Sequence, residues 1–166
     1  AITRVVPGGV IYMRGGTYYY SSTITIEKSN KGTPGKRKNI YAYQNEEPIL
    51  NFKAQTEDDK NRGLQLFGDY WHVRGLTVEW AGDNGIFIGG NHNIIERCIT
   101  RYNRDSGLQI ARASKSDTVI DQWPSYNLIL NCDSYGNADS DGEDADGDIV
   151  GNGIGFDQAA HEVEVR

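Results

Sequence analysis

The sequence predicts an all-β protein whose short strands wind into a parallel solenoid, each coil stacked on the one before. Three observations support this class. The 166 residues contain 20 Gly and one Met, a composition unfavourable for helices. Ten Tyr and three Trp, with many Ile, Val and Thr, favour strands. The third observation is an internal repeat of about 22 residues, which is typical of solenoids.

The repeat is visible in two matches. Asn93–Asn103 matches Asn127–Asn137 at an offset of 34 residues, with the Asn, the second aliphatic residue, the Cys and the closing Asn all recurring in position. Val73–Ile88 matches Ile95–Ile110 at an offset of 22 residues. The polar stretch Ser114–Ser125 accounts for the difference and is predicted to be an inserted loop.

Stacked coils place equivalent residues above one another, about 4.8 Å apart. The repeat therefore predicts three columns of side chains. They are Val73, Ile95 and Ile129; Leu76, Cys98 and Cys132; and Asn103 with Asn137. The two cysteines are then interpreted as internal hydrophobic residues, either bonded to each other or free.

Earlier elements follow from alternating apolar residues and from breakers. The predicted strands are Gly9–Arg14, Thr23–Ile26, Asn39–Tyr43 and Ile49–Phe52, and the predicted loops are Lys28–Lys38 and Gln55–Arg62. Dividing the length by the repeat gives about seven coils in a single domain over residues 1–166. A β-sandwich is the competing architecture, but it gives no reason for the repeat. The chain ends within the strand-like run Glu162–Arg166, so we expect a solenoid truncated at its carboxyl end.

Charge is distributed unevenly. The net charge is −6, and residues 133–166 contain ten of the 23 acidic residues but only one of the 17 basic residues, Arg166. This balance argues against nucleic acid as a partner, because nucleic-acid binding requires a broad basic face. The mean hydropathy of −0.60 and the lack of a long apolar run argue against a membrane helix.

The acidic segment is a candidate cation site. Six carboxylates between Asp139 and Asp148 repel one another unless they spread into water or bind a cation, and Ca²⁺ prefers such oxygen ligands. Three interpretations stay open: an EF-hand-like loop beginning at Asn137, a solvated acidic loop, and a calcium site at a solenoid turn. In the repeat, Asp146-Gly147-Asp148 aligns with Asn84-Gly85-Ile86, which predicts that Asp146 lies at a turn on the solenoid wall and that Asp141 and Asp144 lie in an insertion.

Six motifs are distinctive when taken together: Arg14–Tyr18, Asp83–Ile86, Asn103–Ile110, Trp123–Ser125, Asn131–Tyr135 and Gly142–Gly147. They resemble the pectate lyases of polysaccharide lyase family nine, and the resemblance covers about residues 9–147. It implies a secreted, right-handed parallel β-helix that cleaves polygalacturonate or pectin by calcium-dependent β-elimination. It also implies that Asp146 is a calcium ligand.

Some family features have no match in this chain. The family carries a second calcium motif, Asp-Asp-Gly-x-Asp, and a lysine base after Gly-Asn-Gly-x-Gly-Phe. Here Gly151–Phe156 is followed by Asp157, and no lysine follows Lys115. The sequence therefore assigns no catalytic base.

The resulting predictions are a calcium site formed by Asp141, Asp144 and Asp146, and an acidic polysaccharide as partner of a monomeric protein. The carboxylates of this polysaccharide would be bound by Arg101, Arg104 and Arg112. The alternative function is a non-catalytic β-helix that binds carbohydrate or serves as structure.

Overall fold

The computed structural model describes residues 1–139, 153–156 and 163–166, in which short parallel strands form three sheets. The first sheet contains β1 (Val10–Met13), β4 (Lys38–Ala42), β7 (Trp71–Arg74), β10 (Ile94–Glu96), β13 (Leu128–Leu130) and β16 (Glu164–Val165). The second contains β2 (Gly16–Tyr19), β5 (Pro48–Asn51), β8 (Thr77–Glu79), β11 (Ile99–Arg101) and β14 (Asp133–Tyr135). The third contains β3 (Ile24–Ile26), β6 (Leu64–Leu66), β9 (Ile86–Ile88), β12 (Leu108–Ile110) and β15 (Ile154–Phe156).

The chain visits the first, second and third sheets in turn and then begins the next coil, which is the winding of a parallel β-helix. The predicted fold class is therefore confirmed. The described residues contain six strands of the first sheet and five of each other sheet, fewer than about seven coils would need. The difference arises because loops lengthen most coils: Trp71 and Asn93 are 22 residues apart, whereas Asn93 and Asn127 are 34 apart.

All three predicted columns are present. In the first sheet Val73 pairs with Ile95, and Ile95 pairs with Ile129; all three are buried. Leu76, Cys98 and Cys132 belong to the same hydrophobic core, and both cysteines are free thiols. The hydrophobic core runs through the interior of the coil, so the outward side chains of each sheet are available for other roles.

Buried asparagines connect the coils where the columns of apolar residues end. The amide oxygen of Asn103 accepts a hydrogen bond from the N–H of Ala81 (2.9 Å), and the N–H of Asn103 donates to the amide oxygen of Asn137 (3.0 Å). Asn93 and Asn127 repeat the arrangement beside the first sheet, with 2.9 Å between the Asn93 nitrogen and the Asn127 oxygen. The predicted asparagine ladder is therefore confirmed, and a second ladder accompanies it.

In the three coils whose first strands are β7, β10 and β13, counted from the corner before each of these strands, each corner uses a residue in the left-handed region of backbone conformation. These residues recur at the same place in successive coils, and most are not glycine, although a side chain there costs conformational energy. The corner after the first sheet has Gly75, Arg97 and Asn131; the corner after the second has Trp80, Tyr102 and Gly136; and the corner after the third has Tyr70, His92 and Tyr126.

The four early strands lie within one residue of the predicted bounds, and Ser114–Ser125 is an insertion that contains only a short 3₁₀ turn, Ile120–Gln122. At the amino end, a turn over residues 1–5 places Ile2 and Val5 against the core. No helix in the described part of the chain is long and apolar enough to cross a membrane.

Candidate functional site

The outer face of the third sheet carries a groove. In strand register, Gln65 of β6, Phe87 of β9 and Gln109 of β12 stand side by side and point away from the core. The loop over residues 55–62 borders one side of this row, and the start of the insertion after Ala113 borders the other. Together they enclose a cleft of about 520 Å³, lined by Asp59, Lys60, Arg62, Gln65, Phe87, Gln109, Ala111, Arg112, Ala113, Ser114 and Lys115.

Arg62 is fixed at the centre of the groove. Its Nε donates to Oδ2 of Asp83 at 3.2 Å, and its Nη1 donates to Oε1 of Gln65 at 2.9 Å. Its guanidinium carbon lies 3.6 Å from the centre of the Phe87 ring, which it covers. These three contacts hold a positive charge against the floor of the groove.

The Asp83 carboxylate lies at the corner before β9 and is 8% exposed. Burial raises the pKa of Asp83, while hydrogen bonds from Asn84 and the charge of Arg62 oppose the rise. Asp105 occupies the equivalent corner one coil later, and its charge also raises the pKa of Asp83. Arg62 therefore neutralises a carboxylate that would otherwise weaken the attraction of the groove for anions.

Two other cations line the groove differently from Arg62. Arg112 and Lys115 form no ion pair among the residues that the structure describes. Lys60 lies across the groove from them. Because Asp83 balances the charge of Arg62, three other basic side chains, Lys60, Arg112 and Lys115, face one acidic lining residue, Asp59, and the groove is suited to an anionic ligand.

The structure separates the three arginines predicted to bind substrate. Arg112 lies in the groove. Arg101 lies on β11 of the second sheet, where its Nε donates to Glu79 at 2.7 Å and its Nη1 donates to Tyr135 at 3.3 Å. Arg104 lies at the corner between the second and third sheets, 4.0 Å from Glu57. Only Arg112 therefore shares the groove, and the roles of all three stay predictions.

Sequence analysis missed Lys60, Arg62 and Lys115. The first two were assigned to a loop and the third to the insertion, which was correct as local structure. The available signal was the strand register: Gln65 and Gln109 alternate with buried leucine and isoleucine, so the loops on either side of these strands must meet at the outer face.

The predicted calcium ligands Asp141, Asp144 and Asp146 lie outside the described residues. The corner assigned to Asp146-Gly147-Asp148 is, however, occupied by Gly153 and Ile154. The N–H of Leu108 donates to the Gly153 oxygen at 3.2 Å, as the N–H of Ile86 donates to the Gly107 oxygen at 2.9 Å. The alignment of Asp146-Gly147-Asp148 with this corner is therefore wrong.

The physical reason is that Asn152-Gly153-Ile154 repeats the Asn84-Gly85-Ile86 pattern more closely than the acidic stretch does. Across the described part of the chain, no three His, Cys, Asp or Glu side chains converge as a metal site would require. The residues that the structure describes therefore do not fit calcium.

Comparison with known proteins identifies the family. The model of the Pel9A-like right-handed β-helix region matches residues 1–160. The chain belongs to the Pel9A-like β-helix family. A solved member, described as pectate lyase Pel9A, superimposes with a TM-score of 0.71 at 29% identity, over 83% of this chain and 34% of that one.

Other Pel9A-like relatives are longer than this chain. Pectate lyase L of Paenibacillus polymyxa (strain SC2) is 52% identical over 171 residues, which cover 99% of this chain and 38% of the relative. Pectate lyase L of Thermoclostridium stercorarium is 38% identical over 149 residues, 89% of this chain and 12% of the relative. The chain thus corresponds to less than half of each of these enzymes.

Proposed function

We propose that this chain is the polygalacturonate-binding part of a secreted, calcium-dependent pectate lyase, and that the groove on the third sheet holds the polymer. The observation that carries the proposal is the cluster of four basic side chains around a row of outward glutamines. Membership of the Pel9A-like family and the names of the relatives support the substrate class.

Each part of the groove has a role in this proposal. Arg112 and Lys115 are unpaired within the described structure and can form charge-assisted hydrogen bonds to uronate carboxylates. Gln65 and Gln109 offer amide donors and acceptors to sugar hydroxyls. Arg62 is already bonded to Asp83 and Gln65, so it contributes its positive charge and the rigidity of the floor.

Calcium is proposed to be held by Asp141, Asp144 and Asp146, whose carboxylate oxygens match its ligand preference. When bound, the ion would neutralise the uronate carboxylate and so acidify the adjacent C5 proton. We further propose that the protein acts as a monomer outside the cell.

A second candidate function is polysaccharide binding without cleavage. It is favoured by one observation: no lysine follows Lys115, and the family base is a lysine beyond the acidic segment. Under this alternative the groove binds the same polymer, and the chemistry needs residues that this chain does not contain.

Calorimetric titration with polygalacturonate oligomers tests the groove. Replacing both Arg112 and Lys115 with Gln removes two carboxylate partners, and we expect affinity to fall about tenfold or more. The matched control is Lys28→Gln with Lys31→Gln, which makes the same charge change on an exposed loop outside the groove. Equal affinity losses in the two double variants would overturn the assignment of the groove.

A lyase assay separates the two functions. Formation of unsaturated uronide, followed by ultraviolet absorbance with calcium and then with excess chelator, identifies β-elimination. Calcium-dependent product from the wild-type chain supports the lyase. Binding without product, in the presence of calcium, supports the second candidate.

A further inference from the structure

The outer face of the first sheet carries a hydrogen-bonded network that the groove does not use. It spans three consecutive coils. The hydroxyl of Tyr41 on β4 lies 2.9 Å from Nδ1 of His72 on β7, and Nε2 of His72 lies 2.9 Å from Oε2 of Glu96 on β10. The Tyr41 hydroxyl also contacts Oδ1 of Asn39, again at 2.9 Å. The order of groups is therefore Asn39, Tyr41, His72, Glu96.

Both ends of this network can only accept hydrogen bonds. The amide nitrogen of Asn39 donates to the Gly9 oxygen at 2.9 Å and to the Arg37 oxygen at 3.0 Å. These two carbonyls fix the orientation of the amide, so Oδ1 is the atom that faces Tyr41. At the other end, the ionised Glu96 carboxylate has no hydrogen to donate.

Counting hydrogens shows what such an arrangement needs. Three contacts between four groups require three hydrogens, one for each contact. The Tyr41 hydroxyl supplies one, and a neutral imidazole supplies one more. With neutral His72 the network is one hydrogen short, and the single hydrogen of Tyr41 must serve either Asn39 or His72. An imidazolium supplies two hydrogens and completes all three contacts.

We infer that Asn39, Tyr41, His72 and Glu96 form a proton-binding site in which protonation of His72 completes a continuous hydrogen-bonded link across three coils. In the protonated state, His72 donates from Nε2 to Glu96 and from Nδ1 to the Tyr41 oxygen, and Tyr41 donates to Asn39. The transfer forms one N–H bond on the imidazole and breaks one O–H bond of a hydronium ion, which leaves as water.

The surrounding charges determine when the site fills. Four groups act on the His72 imidazole. Tyr41 of β4 and Glu96 of β10 contact it. The charges of Arg37, in the segment before β4, and of Arg74, on the same strand as His72, also affect it. Arg74 lies 4.1 Å from the centre of the Tyr41 ring, and Arg97 lies 3.7 Å from Glu96. Burial lowers the pKa of His72, with Arg74 and Arg37 acting in the same direction, while Glu96 raises it. His72 is therefore neutral at neutral pH and takes up the proton under acidic conditions.

The decisive variant is Asn39→Ala, because the Asn39 side chain bonds Gly9, Arg37 and Tyr41 and not the imidazole, although Asn39 and His72 pair in strand register. Removing the Asn39 acceptor frees the Tyr41 hydroxyl hydrogen to be donated to Nδ1 of His72. Neutral His72 then has both of its hydrogen bonds, and protonation adds none. We expect proton affinity at His72 to fall about two- to tenfold, the value of one hydrogen bond. The measurement is a pH titration of the ¹⁵N shifts of the two imidazole nitrogens.

Two further variants complete the test. Tyr41→Phe removes the group that accepts from Nδ1–H, and it should also weaken proton binding at His72. Tyr43→Phe changes a nearby exposed tyrosine that lacks these contacts and should leave the titration unchanged. An unchanged or stronger proton affinity in Asn39→Ala, with the fold retained by circular dichroism, would overturn the inference. If Asn39→Ala does not fold, Tyr41→Phe decides: weaker proton binding at His72 supports the inference, and unchanged or stronger binding overturns it.

Discussion

Asn103 is the residue on which the interior of the second corner most depends. Its side chain accepts from Ala81 (2.9 Å) and donates to Asn137 (2.9 Å), and the residue is 2% exposed. Asn103→Ala would leave the Ala81 N–H buried without a partner, so we expect a loss of about 1–3 kcal/mol in the free energy of unfolding. Urea denaturation measures it. Asn45→Ala, on an exposed loop, should change stability by less than about 0.5 kcal/mol.

The stacked thiols should differ in reactivity. A hydrogen bond from Cys98 lowers the pKa of Cys132 to about 7, whereas the same interaction and burial raise the pKa of Cys98. Cys132 is half-buried and Cys98 is 1% exposed. Iodoacetamide at neutral pH should therefore modify Cys132 first, as read by peptide mass spectrometry. Faster labelling of Cys98 would contradict this ordering.

At the scale of elements, the glycines before the third sheet set how closely coils can stack. A Cβ on Gly107 would lie 2.1 Å from the Ser134 hydroxyl and 2.5 Å from the Asn137 amide nitrogen. On Gly153, one coil later in the same column, the nearest atom among the described residues would be the Ser134 oxygen, 3.8 Å away. Gly107→Ala should therefore lower the thermal midpoint clearly, and Gly153→Ala should change it little. Similar midpoints of thermal unfolding for the two variants would show that the coils can move apart at this corner without loss of stability.

Elements were predictable where the sequence repeats itself. The strand columns and the Asn103–Asn137 ladder follow from identical residues at fixed offsets, because stacking demands identical environments. The alignment of Asp146-Gly147-Asp148 with the corner that Gly153 occupies was wrong because two Gly-containing patterns in the sequence compete for that corner. Local pattern alone does not show how many residues an insertion contains.

The site was less predictable than the fold because several of its residues lie in loops. Arg62 and Lys115 belong to segments with no repeat, and only the finished coil brings them to the same outer face. Arg101 was chosen for its charge, yet Glu79 and Tyr135 from neighbouring coils already bind it. Sequence shows where charges are, and coil stacking decides which of them are paired.

At the scale of the whole molecule, charge should govern binding. The net charge is −6, so the chain as a whole repels an anionic polymer while the groove attracts it. Because exposed charges are screened by salt, affinity for polygalacturonate measured without calcium should fall as sodium chloride rises from low to about 0.5 M. Affinity gels at two salt concentrations measure this. Salt-independent retention would mean that the groove binds through neutral contacts.

The left-handed corners have a consequence for how this architecture diversifies. The corner after the second sheet keeps a left-handed residue whether the chain between two such corners is short or carries a long excursion: Trp80 and Tyr102 are 22 residues apart, and Tyr102 and Gly136 are 34 apart. Excursions can therefore be lengthened, shortened or exchanged without altering the pitch of the scaffold. New binding specificities can evolve in the loops while the β-helix that carries them stays the same.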